Sequence, residues 1–280
     1  MEILQLMRSE LLLTVFILLL LMVKLADLDW SNETMMIAVN LALAVLLAIG
    51  IFLPAEGSLF GDMFISNDLL RLEKNILTLG TLVVSLQAGG WLKKHEHAME
   101  FYLLLLTSLL GMFFMLSSGN LLMFYLGLEM STLPIAALAN FDLRLRRSSE
   151  AALKMVISSA FASGILLFGI SWVYGTTGTI GFATLATALT GNPVQIFAIV
   201  LLIAGFGFKI SAVPFHLWTA DVYEGAPLPV TSYLSVVSKG AVVFVLVSVL
   251  YKVFGSMESV WYNILFILSV ATMVIGNLFA

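Results

Sequence analysis

Apolar residues in this chain come in long unbroken runs separated by short polar stretches, with neither the alternation of a strand nor the stripe of a surface helix. Runs such as LLLTVFILLLLMV (11–23) and MMIAVNLALAVLLAIGIFL (35–53) approach or reach the ~18–20 residues needed to cross a bilayer. Nine such spans are predicted, at 9–26, 35–53, 75–92, 100–117, 120–140, 150–175, 193–218, 229–251 and 259–280. Each should be a helix, because in lipid a span must satisfy its own backbone hydrogen bonds, and a barrel strand would alternate. The pattern predicts an all-α polytopic membrane protein. The first run follows Glu2, Arg8 and Glu10 and precedes no small-x-small cleavage pattern, so it reads as an uncleaved span. The last run stops inside ATMVIGNLFA (271–280), which predicts a longer protein continuing past Ala280.

Composition sharpens this. Hydrophobic residues make up 61% of the 280 and charged residues 11%, against about 25% charged in ordinary soluble domains. The net charge of −4 argues against nucleic acid as a partner. With no cysteine, the chain has no thiolate zinc or cysteine-held iron–sulfur site, and its three histidines show no metal-ligand spacing. No metal or cofactor is expected in this chain, and any redox chemistry belongs to other subunits. Lys24, Lys93, Lys94, Arg144, Arg146 and Arg147 fall on one side of the predicted membrane, and Arg8, Arg71, Lys74 and Lys252 on the other. The positive-inside rule then places the arginine cluster in the cytoplasm and the N-terminus outside.

Three charges lie deep in predicted spans, where each costs about 2.5–3.5 kcal/mol on insertion scales. Glu129 is nine residues from Asn120, ~14 Å along a helix. Lys209 is nine residues from Trp218, and Lys239 ten from Pro229. Lys154 is about one turn inside its span, within reach of the headgroups. Such charges either pair to lock helices together or form a site. Pro134 and Pro214 each follow a charge by five residues. Proline frees the carbonyl four residues back, so both spans are expected to break beside an ionisable group, unless these are ordinary kinks. Burial disfavours a charge and an opposite charge restores it, so a buried lysine with a carboxylate neighbour can take up and release a proton. Ser131, Thr132, Ser211, His216, Ser235 and Ser238 could link such groups, and histidine titrates near pH ~6.5. His216 also reads as an interfacial histidine beside Trp218. His95 and His97 read as a solvated loop, and Asp221 and Glu224 as loop residues that cap a helix or meet a partner.

The segment FKISAVPFHLWTADVYEGAPLPVTSYLSVVSK (208–239) closely resembles the antiporter-like membrane subunits of respiratory complex I, the proton-translocating NADH–quinone oxidoreductase, and among them the subunit N group. LGLEMSTLPIAAL (126–138) and RRSSEAALKMVISSAFASGILLFG (146–169) share the likeness, which extends over 100–280. Ala220 stands where the family usually has proline. The resemblance implies the first of two inverted five-helix repeats at 100–251, preceded by three helices in 1–99 and followed by a ninth helix at 259–280, with the seventh helix broken. It implies that Glu129 pairs with Lys209, that Lys239 is a connecting lysine, that Lys154 modulates the first pair and that His216 lies on a watery path. NADH, FMN, iron–sulfur clusters and quinone would sit on partner subunits of a complex in the cell inner membrane. A related cation/proton antiporter or membrane-bound hydrogenase would carry the same local chemistry. A structural subunit would use these charges only to lock helices.

Overall fold

The computed structural model describes residues 2–26 and 30–279, so Met1 and Ala280, the ends of the first and last predicted blocks, lie outside the described residues. Short helix α1 (Glu2–Leu6) leads into α2 (Arg8–Leu25), α3 (Asn32–Phe52), a hairpin of β1 (Gly57–Leu59) and β2 (Phe64–Ser66), α4 (Asp68–Leu92), α5 (Ala98–Leu116) and α6 (Leu121–Ala139). Then follow α7 (Arg146–Thr177), α8 (Phe182–Ala188), α9 (Pro193–Ile210), α10 (Leu217–Gly225) and α11 (Leu228–Ser232). A π-helical segment (Tyr233–Ser238) joins α11 to α12 (Lys239–Lys252), and α13 (Glu258–Phe279) ends the chain. Among the described residues, eight helices are long and apolar enough to cross a membrane. Each of the nine predicted spans is represented by helix. The first, α2, carries Arg8, Glu10 and Lys24 within 18 residues and is not among the eight.

Three predicted elements differ in outline. The stretch read as a loop before the third span holds the antiparallel hairpin, paired Gly57 to Ser66. Its turn uses left-handed Phe60, Gly61 and Asp62. Arg71 and Lys74 lie inside α4, which starts where the Asn67 side chain accepts the Leu70 amide at 2.9 Å, and are not loop charges. The seventh span divides into α9 and α10, so Asp221 and Glu224 are helical.

The core is centred on α5, whose Phe101, Tyr102, Leu105, Leu106 and Leu109 are fully buried. Apolar side chains gain little by leaving lipid, so membrane helices associate where small residues let backbones approach. A Cβ on Gly111 would lie 2.4 Å from the Ser131 nitrogen, and one on Gly127 2.5 Å from the Met115 nitrogen. Glycine at both positions lets α5 and α6 touch backbone to backbone. Gly127→Ala is therefore expected to wedge α6 away and destabilise the bundle by about 1–3 kcal/mol. A lowered unfolding temperature in detergent checks this, and an unchanged one rules out the tight α5–α6 seam.

Lys24 pairs with Glu100 at 2.5 Å, Lys93 with Glu33 at 3.0 Å and Arg144 with Glu96 at 3.8 Å, all at one end of the bundle. Asn32 fixes that end too, donating to the carbonyls of Leu92, Lys93 and His95. His95 is packed between Trp91 and Phe141, each 4.9 Å away, and so is less solvated than a polar loop suggests.

Candidate functional site

Helix α9 starts with the Asn192 cap and Pro193 in its first turn and stops at Ile210, where Ser211 turns left-handed (φ 62°, ψ 39°). Pro214 lies in the unwound stretch that follows, and the chain re-enters helix at Leu217. Side chains stitch the break. Trp218 donates its indole N–H to the Phe208 carbonyl at 3.1 Å, Thr219 donates to Ser211 at 2.5 Å, and Thr272 of α13 accepts the Val213 amide at 3.0 Å. Irregular backbone at membrane depth survives only where such partners exist. Gly207 leaves room for Phe215, whose ring would lie 3.0 Å from a Cβ there.

Pro134 behaves differently from expectation. Helix α6 runs through it unbroken. Proline removes one N–H, but the seam with α5 holds both halves of α6 in line, and the hydroxyls of Ser131 and Thr132 each donate to the Leu128 carbonyl at 2.8 Å. The proline is an insertion in a continuous helix and not a break.

Lys209 occupies the last turn of α9 and donates to the Thr132 hydroxyl of α6 at 3.1 Å. Glu129, one turn earlier on α6, accepts from Ser163 of α7 at 2.5 Å. Glu129 and Lys209 therefore face the same junction of α6, α7 and α9. Among the described residues they do not form a direct ion pair within 4.0 Å. The two charges attract one another across the junction without touching, and Thr132, three residues on from Glu129 on the same face, makes the direct contact with the ammonium.

Lys239 opens α12 directly after the π segment. Its ammonium lies 5.0 Å from the Tyr223 ring centre and 5.9 Å from that of Trp218, within cation–π range. Lys154 lies partly exposed near the start of α7. It pairs with Glu150 at 2.6 Å and with Asp221 of α10 at 2.7 Å. His216 precedes α10, with its Nδ1 buried and unpartnered. Of the proposed linkers, Thr132 contacts Lys209 at the junction and Ser211 accepts from Thr219 across the break in the seventh span, whereas Ser235 is exposed and donates to the Ser232 carbonyl.

Sequence reasoning missed four features. Ser163 gave no signal among the serines of α7. Asp221 and Tyr223 were hidden by reading α10 as a loop. The Glu10–Lys74 pair was hidden by placing Lys74 outside the membrane. The π segment leaves no simple sequence trace. Among the described residues, no group of three or more His, Asp or Glu side chains is arranged to hold a metal ion.

A bundle of membrane-length helices with a lysine at the end of an interrupted helix is antiporter-like in class. Residues 118–280 match the family described as "NADH:quinone oxidoreductase/Mrp antiporter, TM", and the chain belongs to it. It is 51% identical over 230 residues to NADH-quinone oxidoreductase subunit N of Phocaeicola vulgatus, covering 81% of this chain and 49% of that one. It is 36% identical over 281 residues to NADH-quinone oxidoreductase subunit N 1 of Rhizobium meliloti, covering 98% and 58%. A chain of respiratory complex I from Thermus thermophilus superposes with a TM-score of 0.72 at 30% identity, over 85% of this chain and 52% of that one. A chain of the Mrp complex from Dietzia sp. DQ12-45-1b has a TM-score of 0.81 at 22% identity, over 96% and 53%, a likeness of fold. The chain spans about half the length of the relatives it matches.

Proposed function

We propose that this chain is part of a membrane-arm subunit of a proton-translocating NADH–quinone oxidoreductase, in which Glu129, Lys209 and Lys239 pass protons and Lys154 and His216 tune the path. The observation that carries the reading is Lys209, held at the broken end of α9 against Thr132, one turn from Glu129. NADH, FMN, iron–sulfur clusters and quinone belong to partner subunits, and their redox chemistry drives this subunit through its contacts. Residues 100–251 form an antiporter-like repeat, 1–99 flank it, and 259–280 begin a further helix. Replacing Lys209 by Ala in the full-length protein, within its native complex, tests this, and surviving proton translocation would overturn it. The family also includes Mrp antiporters, and sodium-dependent transport without NADH oxidation would favour that second reading.

We place the Arg144 end of the bundle in the cytoplasm and the hairpin outside the inner membrane. Residues 1–280 lack cysteine, so single cysteines placed there, in a full-length protein freed of any others, report topology. Ser58→Cys should react with a membrane-impermeant maleimide added outside, and Arg144→Cys only after the membrane is opened. The reverse pattern inverts the topology.

A further inference from the structure

Helix α10 touches the surroundings of three lysines with nine residues. Its Asp221 holds the Lys154 ammonium at 2.7 Å, tying α10 to α7. Its Trp218 bonds the carbonyl of Phe208, the residue before Lys209, and stacks on the Phe208 ring at 5.2 Å. The same Trp218, with Tyr223, faces the Lys239 ammonium. Among the described residues, Lys239 makes no ion pair within 4.0 Å, so these rings are the electron-rich groups seen against it.

The mechanical setting matters as much as the contacts. Unwound chain precedes α10, and the extended Ala226 follows it, so the helix is continuous with no span. It is ~13 Å long at 1.5 Å per residue. Its far end is seated on α7, where a Cβ at Gly225 would lie 2.5 Å from the Arg147 carbonyl oxygen. A short rigid helix with breaks at both ends moves as a unit. Asp221 and the rings at 218 and 223 are carried by this one helix, so they are placed together.

A purely structural role fits Lys154–Asp221 poorly. The two side chains are 41% and 50% exposed, and ion pairs this open contribute little to stability. Glu150 already supplies Lys154 with a carboxylate at 2.6 Å on its own helix. Asp221 is not needed to neutralise the lysine, but it is the group that links this lysine to α10.

We propose that Asp221 is a positioning residue that uses its ion pair with Lys154 to place Trp218 and Tyr223 over Lys239, with α10 as the lever. The ion pair sets where the middle of α10 rests on α7, and the ring faces stabilise the Lys239 ammonium. Without that ion pair the rings shift, the Lys239 ammonium loses part of their support, and proton transfer through it slows. This rests on the reading of Lys209 and Lys239 as proton-carrying groups.

The test uses the full-length protein in its native complex, with proton translocation measured per complex assembled. Asp221→Asn is expected to lower translocation by about fivefold, the lower end of coupling between linked sites. Asp221→Glu, which keeps the charge, is expected to restore most of it. Lys154→Met with Asp221→Asn is expected to translocate no less than Lys154→Met alone, since Asp221 acts through that lysine. Normal translocation in Asp221→Asn, failure of Asp221→Glu to rescue, or multiplicative effects in the double variant each overturn the proposal. So does a loss confined to the amount of complex assembled. Lys209→Ala separates the two levels. If it abolishes translocation while Asp221→Asn does not, only the lever is wrong. If Lys209→Ala is silent, the relay itself is wrong.

Discussion

Lys209→Ala is expected to reduce proton translocation by about a hundredfold or more, the usual scale for losing a proton-transfer group, while the subunit still folds and assembles. The second half of that expectation follows from desolvation. Lys209 meets a neutral hydroxyl, Thr132, and not a carboxylate, so its ammonium is held against a strong solvation penalty. Removing it relieves that penalty, and Glu129, which loses the attraction of the lysine, keeps its bond from Ser163 and makes no direct ion pair that the change would break. Loss of transport in a well-assembled variant therefore reports on chemistry. Thr132→Val should give a smaller loss, since the ammonium remains but loses its anchor. Co-purification of partner subunits with Lys209→Ala, followed by a proton-uptake assay in vesicles, separates assembly from function.

Lys74→Met is expected to have the largest effect on stability, and for the opposite reason. Lys74 and Glu10 form an ion pair at 2.5 Å with side chains 8% and 1% exposed. Phe64 and Phe113 close over the ammonium at 5.2 and 5.8 Å. Phe64 is fully buried, and its hairpin is pinned to the α5–α6 turn by the Ile65 amide on the Ser117 carbonyl at 2.8 Å. Water cannot replace the lost lysine there, so the single change strands a buried carboxylate and should destabilise by about 3–5 kcal/mol. Glu10→Leu combined with Lys74→Met removes both charges and should recover most of the loss. Thermal unfolding of the purified variants decides this. A single variant as stable as the parent would mean that the hairpin does not seal the pair.

Neither residue was legible as a pair in the sequence, and the contrast with Lys209 shows why. The hydrophobic runs, their helical state, the deep placement of Glu129, Lys209 and Lys239, and the interruption at Pro214 are local properties. A twenty-residue apolar run has one stable form in lipid, and a proline removes its own hydrogen bond wherever the chain goes. Those features follow from residues near one another along the chain. Pro134 shows the limit of that reasoning, since the same local defect left α6 continuous once α5 had packed against it through Gly111 and Gly127.

What the sequence by itself determined is therefore the helical state of the apolar spans and the short set of charges that lipid cannot tolerate without a reason. Only the tertiary structure decided how those charges are satisfied. Thr132 and not Glu129 meets Lys209, Asp221 meets Lys154, two aromatic rings meet Lys239, and Glu10 meets Lys74. The physical reason is that a side chain's hydrophobicity acts on its own segment, whereas a charge is stabilised by groups tens of residues away. Their distance depends on which helix faces approach one another, and that is set by packing across the whole bundle.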